Sequence, residues 1–474
     1  MLTRIVGAKG PHQDGMSTTQ SVLALAPQRA ETIYNRTFWL AYAANLSLVT
    51  ANALTFRFAE LVAFLRGNDQ MAGSSEQMAG AIVSIGVIGA LVARLVLGQA
   101  IDRYGVRKLW TLTSLLFLFS CGMFLVCRDL SWQIYVARIS FAVALAGTFT
   151  CSFVHIQNHV PAHRRTEVIG SLGTAGFLGM TTGSQLGDLI FNVFPPGRLQ
   201  FLALFGGAAA LGLVYLTVVT FLTRNEVHRR PRETPAAHRL IFRYWPGNVA
   251  FVAMMAGVSF TVVSVFLTRF ATHMQLNNGL GTFFTAFAVS AFTFRVFSRR
   301  WSRSIGRHKM ILMGLSGQFL GFCSLPEASQ EWHFIGPALV CGFGHALLFP
   351  AVMSLGCGAF PKEYRGSGTT MMLGFTEIGA MISAPLLGAI IDHFHHQGMT
   401  HLGFRLMFYT TAGIGLVIGT LYSLTEARKP DDEFSLEEHK PPQEPISLLD
   451  ESALPDQEIE DSVAVPVPQL GRSA

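Results

Sequence analysis

The amino-acid sequence predicts an all-α membrane protein of twelve transmembrane helices, arranged as two pseudo-symmetric six-helix bundles. Three observations predict it. Apolar stretches long enough to span a bilayer recur between Phe38 and Leu424, Lys and Arg gather in alternate connecting loops, and the two halves of the chain match at a shift of 200 to 201 residues.

The first observation is compositional. Half of the residues are hydrophobic and 14% are charged, with a mean hydropathy of +0.40, whereas a soluble domain carries roughly 25% charge. A membrane helix needs about 20 mostly apolar residues to cross a hydrocarbon core of about 30 Å. Because lipid cannot hydrogen-bond a bare backbone, spanning segments are helices or a closed barrel, and these runs lack the alternation of barrel strands. Cutting at polar and turn-rich punctuation predicts spans at Phe38–Leu65, Gln77–Ile101, Leu109–Val126, Ser131–Val154, Val168–Phe191 and Gln200–Leu222 in the first half. The second half gives Val249–Thr272, Gly281–Phe297, Met310–Leu325, His333–Leu355, Gly368–Ile391 and Gly403–Leu424. The stretch before Arg36 lacks the short apolar core of a cleavable signal peptide, so the first span is expected to serve as the insertion signal. Cys121, Cys127, Cys151, Cys323, Cys341 and Cys357 stand singly, mostly inside apolar runs, and read as packing residues.

Loop charge sets the expected orientation. The loops after the second, fourth, sixth, eighth and tenth spans together hold 18 Lys and Arg, against three in the opposite loops, Arg66, Arg128 and Arg198. The positive-inside rule therefore places the first set and both termini in the cytoplasm, in a multi-pass protein of the inner (plasma) membrane. The net charge of +6 is a consequence of topology and gives no reason to expect nucleic acid, whose footprint is a basic patch on a soluble face. Arg224 to Gly247 is the longest interior polar stretch and splits the spans six and six. The expected organisation is a cytoplasmic segment 1–36, a bundle 37–223, a linker 224–247, a second bundle 248–425 and a cytoplasmic tail 426–474. That tail, with 13 acidic against 4 basic residues, is expected to be disordered.

The repeat is the third observation. Arg94 falls on Arg295, Gly105 on Gly306, Lys108 on Lys309 and Gly187 on Gly388 at a shift of 201, while Trp132, Pro161 and Arg165 fall on Trp332, Pro361 and Arg365 at 200. Such internal repetition is expected of carriers built from repeated six-helix units. Between the second and third spans stand Gly98, Asp102, Arg103, Gly105, Arg107 and Lys108. Gly98 permits close helix approach, Gly105 suits a tight reversal, and the basic pair anchors the loop. This run resembles the signature loop GxxxDRxGR[RK] of the major facilitator superfamily of secondary carriers, with Arg107 one place from its usual position, and the overall pattern is similar to the family's bacterial efflux-like branch. The resemblance implies that Asp102 meets the N-terminus of the eleventh helix, where the helix dipole favours a carboxylate, and latches the outward-open state. The second copy, Ser298 to Lys309, is degenerate, with Arg299 for the first Gly and Arg303 for the Asp, so the latch is expected to be stronger on the first half. Gly179, Gly183 and Gly187 on the fifth span form a small-residue stripe suited to close packing. It is similar to the family's glycine-rich fifth helix, with Ser184 in place of the family's proline.

Ionisable residues inside a span cost at least about 2.5 kcal/mol each and so need a partner or a watery cavity. Arg57 and Glu60 sit three apart on the first span, placed to pair with each other or to serve an outer gate or substrate route. Arg94 and Arg295 lie roughly 12 Å inside the cytoplasmic end, a symmetric couple suited to gating or to contact with an anionic solute. Glu377 and His345 fall near the midplane, and Glu377 is the residue expected to carry the coupling proton, with His345 as a second titratable group. Arg138 resembles the family's helix-4 arginine motif, with Ala142 where Gly is usual, and that resemblance suggests proton coupling. His393, His395, His396 and His401 are clustered imidazoles but lack a closed ligand pattern, so no metal and no cofactor is expected. Asp188 and Asp392 are expected to cap helices or sit at the interface.

No P-loop, nucleophile elbow or HExxH run is present, so no enzyme is expected. The expected function is secondary transport of a small solute by alternating access across the inner membrane, coupled to protons. Arg57, Arg94, Arg138, Arg269 and Arg295 outnumber Glu60 and Glu377 inside the spans and point to an anionic solute. The expected partners are that solute, protons and the bilayer, for a monomer. The alternative is a membrane sensor or scaffold that keeps the carrier fold without transport and signals through the acidic tail.

Overall fold

The structure, a computed structural model, describes residues 33–66, 72–226, 228, 231 and 235–431. The tail beyond residue 431, most of segment 1–36, and Arg229, Arg230 and Arg232 of the linker lie outside the described residues. Twelve long helices follow one another, with no strand among the described residues. In the first bundle α1 runs Arg36–Leu54 and continues through a 3-10 turn, Thr55–Arg57, into Phe58–Arg66. It is followed by α2 (Ala72–Tyr104), α3 (Val106–Val126), α4 (Trp132–Asn158), α5 (Arg165–Val193) and α6 (Arg198–Leu222). A short linker helix, Ala237–Arg243, leads to the second bundle. There α7 runs Val249–Thr261, relaxes into a π-helical turn at Val262–Phe266 and resumes as Leu267–His273. The rest are α8 (Asn277–Phe297), α9 (Arg307–Ser324), α10 (Ile335–Gly358), α11 (Arg365–His396) and α12 (Thr400–Thr425).

Among the described residues nine of these helices are long and apolar enough to cross a membrane, and the bent α1 makes a tenth. The two that fall short, α5 and α9, carry small and polar residues that other helices cover. Gln318 of α9 accepts from Ser259 Oγ of α7 at 2.7 Å, and Gly179 and Gly183 of α5 face α1. Large apolar side chains such as Val92, Leu95, Leu213 and Val417 stand exposed on the outside, the surface that lipid covers. Several helices outrun their expected bounds: α2 reaches Tyr104, and α11 spans Arg365–His396 where Gly368–Ile391 is predicted. A cut at the first charged residue stops at the hydrocarbon edge, while the backbone stays helical through a headgroup layer that brings the bilayer to about 40–45 Å.

The repeat is visible in backbone geometry. Gly105 and Gly306 each end a connection between a second and third helix of their bundle, with φ of 90° and 85°, a region where a side chain would strain the chain. Close helix approach also repeats. A Cβ on Gly179 of α5 would lie 2.8 Å from Val49 of α1, and one on Gly379 of α11 would lie 2.0 Å from the Met254 carbonyl of α7. These positions are 200 residues apart, in register with Pro161 and Pro361.

The connection after each bundle's sixth helix folds back onto the same place. Arg107 donates to the Arg224 carbonyl at 3.1 Å, and His228 to the Arg103 carbonyl at 3.2 Å. In the second bundle Asp431 takes the Arg307 backbone N–H at 2.5 Å and its Nε at 2.7 Å. We call the end bearing these basic loops the inner end and the opposite one the outer end.

Candidate functional site

Contacts between the bundles gather from mid-depth to the inner end. At the inner end Asp102, at the close of α2, accepts from the backbone N–H groups of Gly366 (2.7 Å) and Ser367 (2.9 Å) and from Ser367 Oγ (2.6 Å). These are orphan donors of the first turn of α11, where a carboxylate also meets the positive end of the helix dipole. The approach depends on Gly98, whose Cβ would lie 2.7 Å from Ser367 Cα. Arg103 points away and lies over its neighbour Tyr104, 5.4 Å from the ring centroid. Alongside, Arg365 of α11 donates to the Gln157 carbonyl at 2.9 Å and to Asn158 Oδ1 at 2.8 Å, at the end of α4.

The degenerate second copy has a partner of its own. Arg303, standing where the first copy has Asp102, lies 3.3 Å from Glu167 in the first turn of α5. Glu167 also accepts from Arg164 and from Tyr34 Oη at 3.1 Å. At the 200-residue register Glu167 is the counterpart of Ser367. Beside the contacts of Arg365 with α4, the inner closure therefore includes two crossings of opposite polarity: a carboxylate on the α11 N-terminus, and an arginine on a carboxylate carried by the α5 N-terminus. The latch is expected to be stronger on the first half, and the second half contributes the Arg303–Glu167 contact beside it.

At mid-depth Arg94 of α2 and Glu377 of α11 form a bidentate pair across the two bundles. Arg94 Nε donates to Oε2 at 2.7 Å and Nη2 to Oε1 at 2.5 Å, while Nη1 reaches Thr150 Oγ1 at 3.2 Å. The side chains are 8% and 30% exposed respectively, so the arginine is sheltered and the carboxylate is open to the interior. The sequence reading gave these residues separate tasks, and the structure joins them.

Arg295 of α8 has no such partner. It is 4% exposed, its Nε makes no hydrogen bond, and among the described residues no carboxylate lies within ion-pair distance. Its guanidinium lies against Gly173 and over the rings of Phe177 (4.8 Å) and Phe349 (5.7 Å). His345 of α10 joins this cluster, with ring centroids 5.9 Å from Phe177, 5.7 Å from Phe287 and 6.0 Å from Phe349.

Toward the outer end Arg57 chelates Glu60 with Nη1 (2.8 and 3.0 Å), and its Nη2 pairs with Asp188 of α5. It also sits 4.4 Å above the Phe191 ring. The contact of Arg57 with Glu60 is one of the two arrangements the sequence left open; Asp188, expected to cap or sit at the interface, is drawn into the same cluster. Arg138 of α4 lies over Phe58 and Phe141, 5.1 and 5.6 Å from their centroids, and is not brought to Glu377. Arg269 is exposed. His393, His395 and His396 lie on the last turn of α11 and are exposed rather than in a loop. No group of residues able to hold a metal occurs among the described residues.

Sequence comparison agrees with this architecture. The profile of the Major Facilitator Superfamily matches residues 37–326 and 249–455. "Uncharacterized MFS-type transporter YhhS" of Escherichia coli (strain K12) is 21% identical over 367 residues, covering 76% of this chain and 86% of that protein. Against YhhS of Salmonella enteritidis PT4 (strain P125109) the identity is 23% over 52% of this chain, and the match spans 57% of that relative's length. "Multi-drug resistance efflux pump PmrA homolog" of Lactococcus lactis subsp. lactis (strain IL1403) is 21% identical over 69% of this chain and 82% of its own. Among solved structures, a bacterial homologue of the iron transporter ferroportin in an outward-facing state superposes with a TM-score of 0.68. It has 13% identity and covers 83% of this chain and all (100%) of that one.

Proposed function

The chain belongs to the Major Facilitator Superfamily, and from that premise we propose that it is a proton-coupled secondary transporter of a small anionic solute, in which Glu377 carries the proton and Arg94 senses it. The observation that supports this most is the bidentate Arg94–Glu377 pair, because it ties together two bundles that alternating access must separate. With the inner end joined at Asp102 and Glu167, the arrangement is that of a carrier open to the outside, the inner end being cytoplasmic by its loop charge.

The physical step is simple. A charge-assisted bidentate pair is among the strongest polar contacts a protein makes, and rocking the bundles apart while both groups are charged strands two ions in a poorly solvated interior. Protonation of Glu377 removes one of those charges and lowers the barrier. At 30% exposure the carboxylate is the more accessible member of the pair and so the one to take up the proton, from the side to which the carrier is open. Solute arriving in the same state shares the inward transition, which couples the two fluxes. The anionic preference narrows on inspection of the five arginines. Arg57 and Arg94 are already paired and Arg269 is exposed, which leaves Arg138, over Phe58 and Phe141 within the first bundle, and Arg295, which lies against Phe177 of the other bundle; Arg295 is the one at the boundary between the bundles.

The test needs no knowledge of the solute. Spin labels at Ala162 and Lys362, exposed residues at the inner ends of the two bundles, report opening of the inner end in nanodiscs. Lowering the pH should lengthen the distance in the wild type as Glu377 is protonated, and Glu377→Gln should be fixed at the low-pH distribution at every pH. A Glu377→Gln protein that still responds to pH like the wild type removes Glu377 from the coupling role.

A further inference from the structure

Applied to the middle of the molecule, the register of the repeat gives a one-to-one comparison. Arg94 and Arg295 correspond at a shift of 201, the shift that also relates Gly105 to Gly306. Helices α5 and α11 correspond at 200, through Pro161 and Pro361, Arg165 and Arg365, and Gly179 and Gly379. At that register the counterpart of Glu377 is Phe177. Each arginine thus lies against the equivalent residue of the other bundle's fifth helix. Arg94 meets a carboxylate at 2.5 and 2.7 Å, and Arg295 meets a phenyl ring at 4.8 Å.

A ring face offers a desolvated cation only part of what a carboxylate offers, and Arg295 is 4% exposed with an unpartnered Nε. The rings around it, Phe177, Phe287, Phe349 and His345, are each only half-buried, at the boundary between α5 of one bundle and α8 and α10 of the other. The ring nitrogens of His345 make no hydrogen bond among the described residues. A buried cation without a counter-ion, beneath an aromatic layer that borders the interior, is a site with one component missing.

We propose that Arg295 is the anchor of the solute site and that the solute is an organic carboxylate with a planar apolar body. Its carboxylate takes, on Arg295, the place that Glu377 takes on Arg94, and its body lies among Phe177, Phe287 and Phe349. Phe177 swings aside to admit it, and the nitrogens of His345 supply a further polar contact. This rests on the transporter reading above and adds to it the class of solute and the residue that selects it. The two symmetry-related arginines then divide the work: one is neutralised by the protein and responds to protons, the other is neutralised by the cargo.

Equilibrium binding to the purified full chain tests it, independently of flux. The probes are benzoate, phenylacetate and 2-naphthoate, each against its neutral amide, with affinities taken from ligand-dependent shifts in unfolding temperature. In the wild type at least one carboxylate should bind more tightly than its amide by about tenfold or more. Phe177→Glu places a carboxylate at the pseudo-symmetric position, so it should abolish that preference by pairing Arg295 internally. Arg295→Gln should abolish it, whereas Arg295→Lys, which keeps a cation there, should retain part of it. The preference is read in the wild type, Phe177→Glu and Arg295→Gln, and the pH response of the inner end in Glu377→Gln, so that failure of the coupling reading and failure of this one appear in different proteins. Equal binding of acids and amides, or a preference that survives in Phe177→Glu or Arg295→Gln, overturns the proposal.

Discussion

The Arg94–Glu377 pair makes a quantitative prediction because its two members are unequally sheltered. Removing one partner of a buried ion pair costs more than the pair itself contributes, since the survivor is left uncompensated. Glu377→Gln strands Arg94 at 8% exposure, whereas Arg94→Gln strands a carboxylate that is 30% exposed and can be hydrated. We expect Glu377→Gln to lose about 2 kcal/mol and Arg94→Gln about half that, with the double variant closer to wild type than their sum. Unfolding of the four proteins in one detergent closes the cycle, and simple additivity would show that the pair contributes nothing. Both residues are legible in the sequence as costly charges within spans. Their pairing is not, because periodicity within a helix says which residues share a face but not which face of another bundle lies opposite. Glu167 shows the same limit in milder form: Arg303 is visibly misplaced for a signature loop, and the acid that answers it emerges only when the register of the repeat is carried to α5 and α11.

At the scale of elements the glycine stripe of α5 gives a prediction with an internal control. A Cβ on Gly183 would come within 2.4 Å of the Thr50 carbonyl and 2.6 Å of the Ala53 Cβ, both on α1, where the backbone cannot give way locally. A Cβ on Gly187 would find nothing nearer than Arg57 Nε at 3.9 Å. Gly183→Ala is therefore expected to push α1 from α5 and cost about 1–3 kcal/mol, while Gly187→Ala is neutral or slightly stabilising through reduced freedom of the unfolded chain. Equal unfolding temperatures for the two would refute the assignment of the stripe to close packing. The stripe itself is legible, as are the twelve helices, since bilayer thickness imposes their length. What the sequence does not announce is where a helix changes its winding. The 3-10 turn at Thr55–Arg57 and the π turn at Val262–Phe266 contain no proline that would mark them, so α1 and α7 read as uninterrupted spans.

At the scale of the whole molecule, the preference for closure at the inner end is a difference between two states, and the two crossings of opposite polarity set much of it. Asp102 satisfies three donors, two of them orphan N–H groups of α11. Asn at that position offers one neutral acceptor atom and turns an amide N–H₂ toward donors, so Asp102→Asn should weaken closure on both counts. Arg303 makes a single 3.3 Å contact to a carboxylate that Arg164 and Tyr34 also hold, so Arg303→Gln should weaken it less. Coupling energies of about 1–3 kcal/mol move a two-state ratio by roughly 5- to 150-fold, with Asp102→Asn expected near the upper part of that range and Arg303→Gln near the lower. The crossings lie on different helix termini and share no side chain, so their effects should add. Read with the Ala162–Lys362 spin-label distance at one fixed pH, each single variant should gain an inner-open population, and Asp102→Asn with Arg303→Gln should be mostly inner-open. If the double variant is no more open than Asp102→Asn alone, the second crossing is not a latch, and closure then rests on Asp102, the Arg365 contacts with α4 and the Arg94–Glu377 pair.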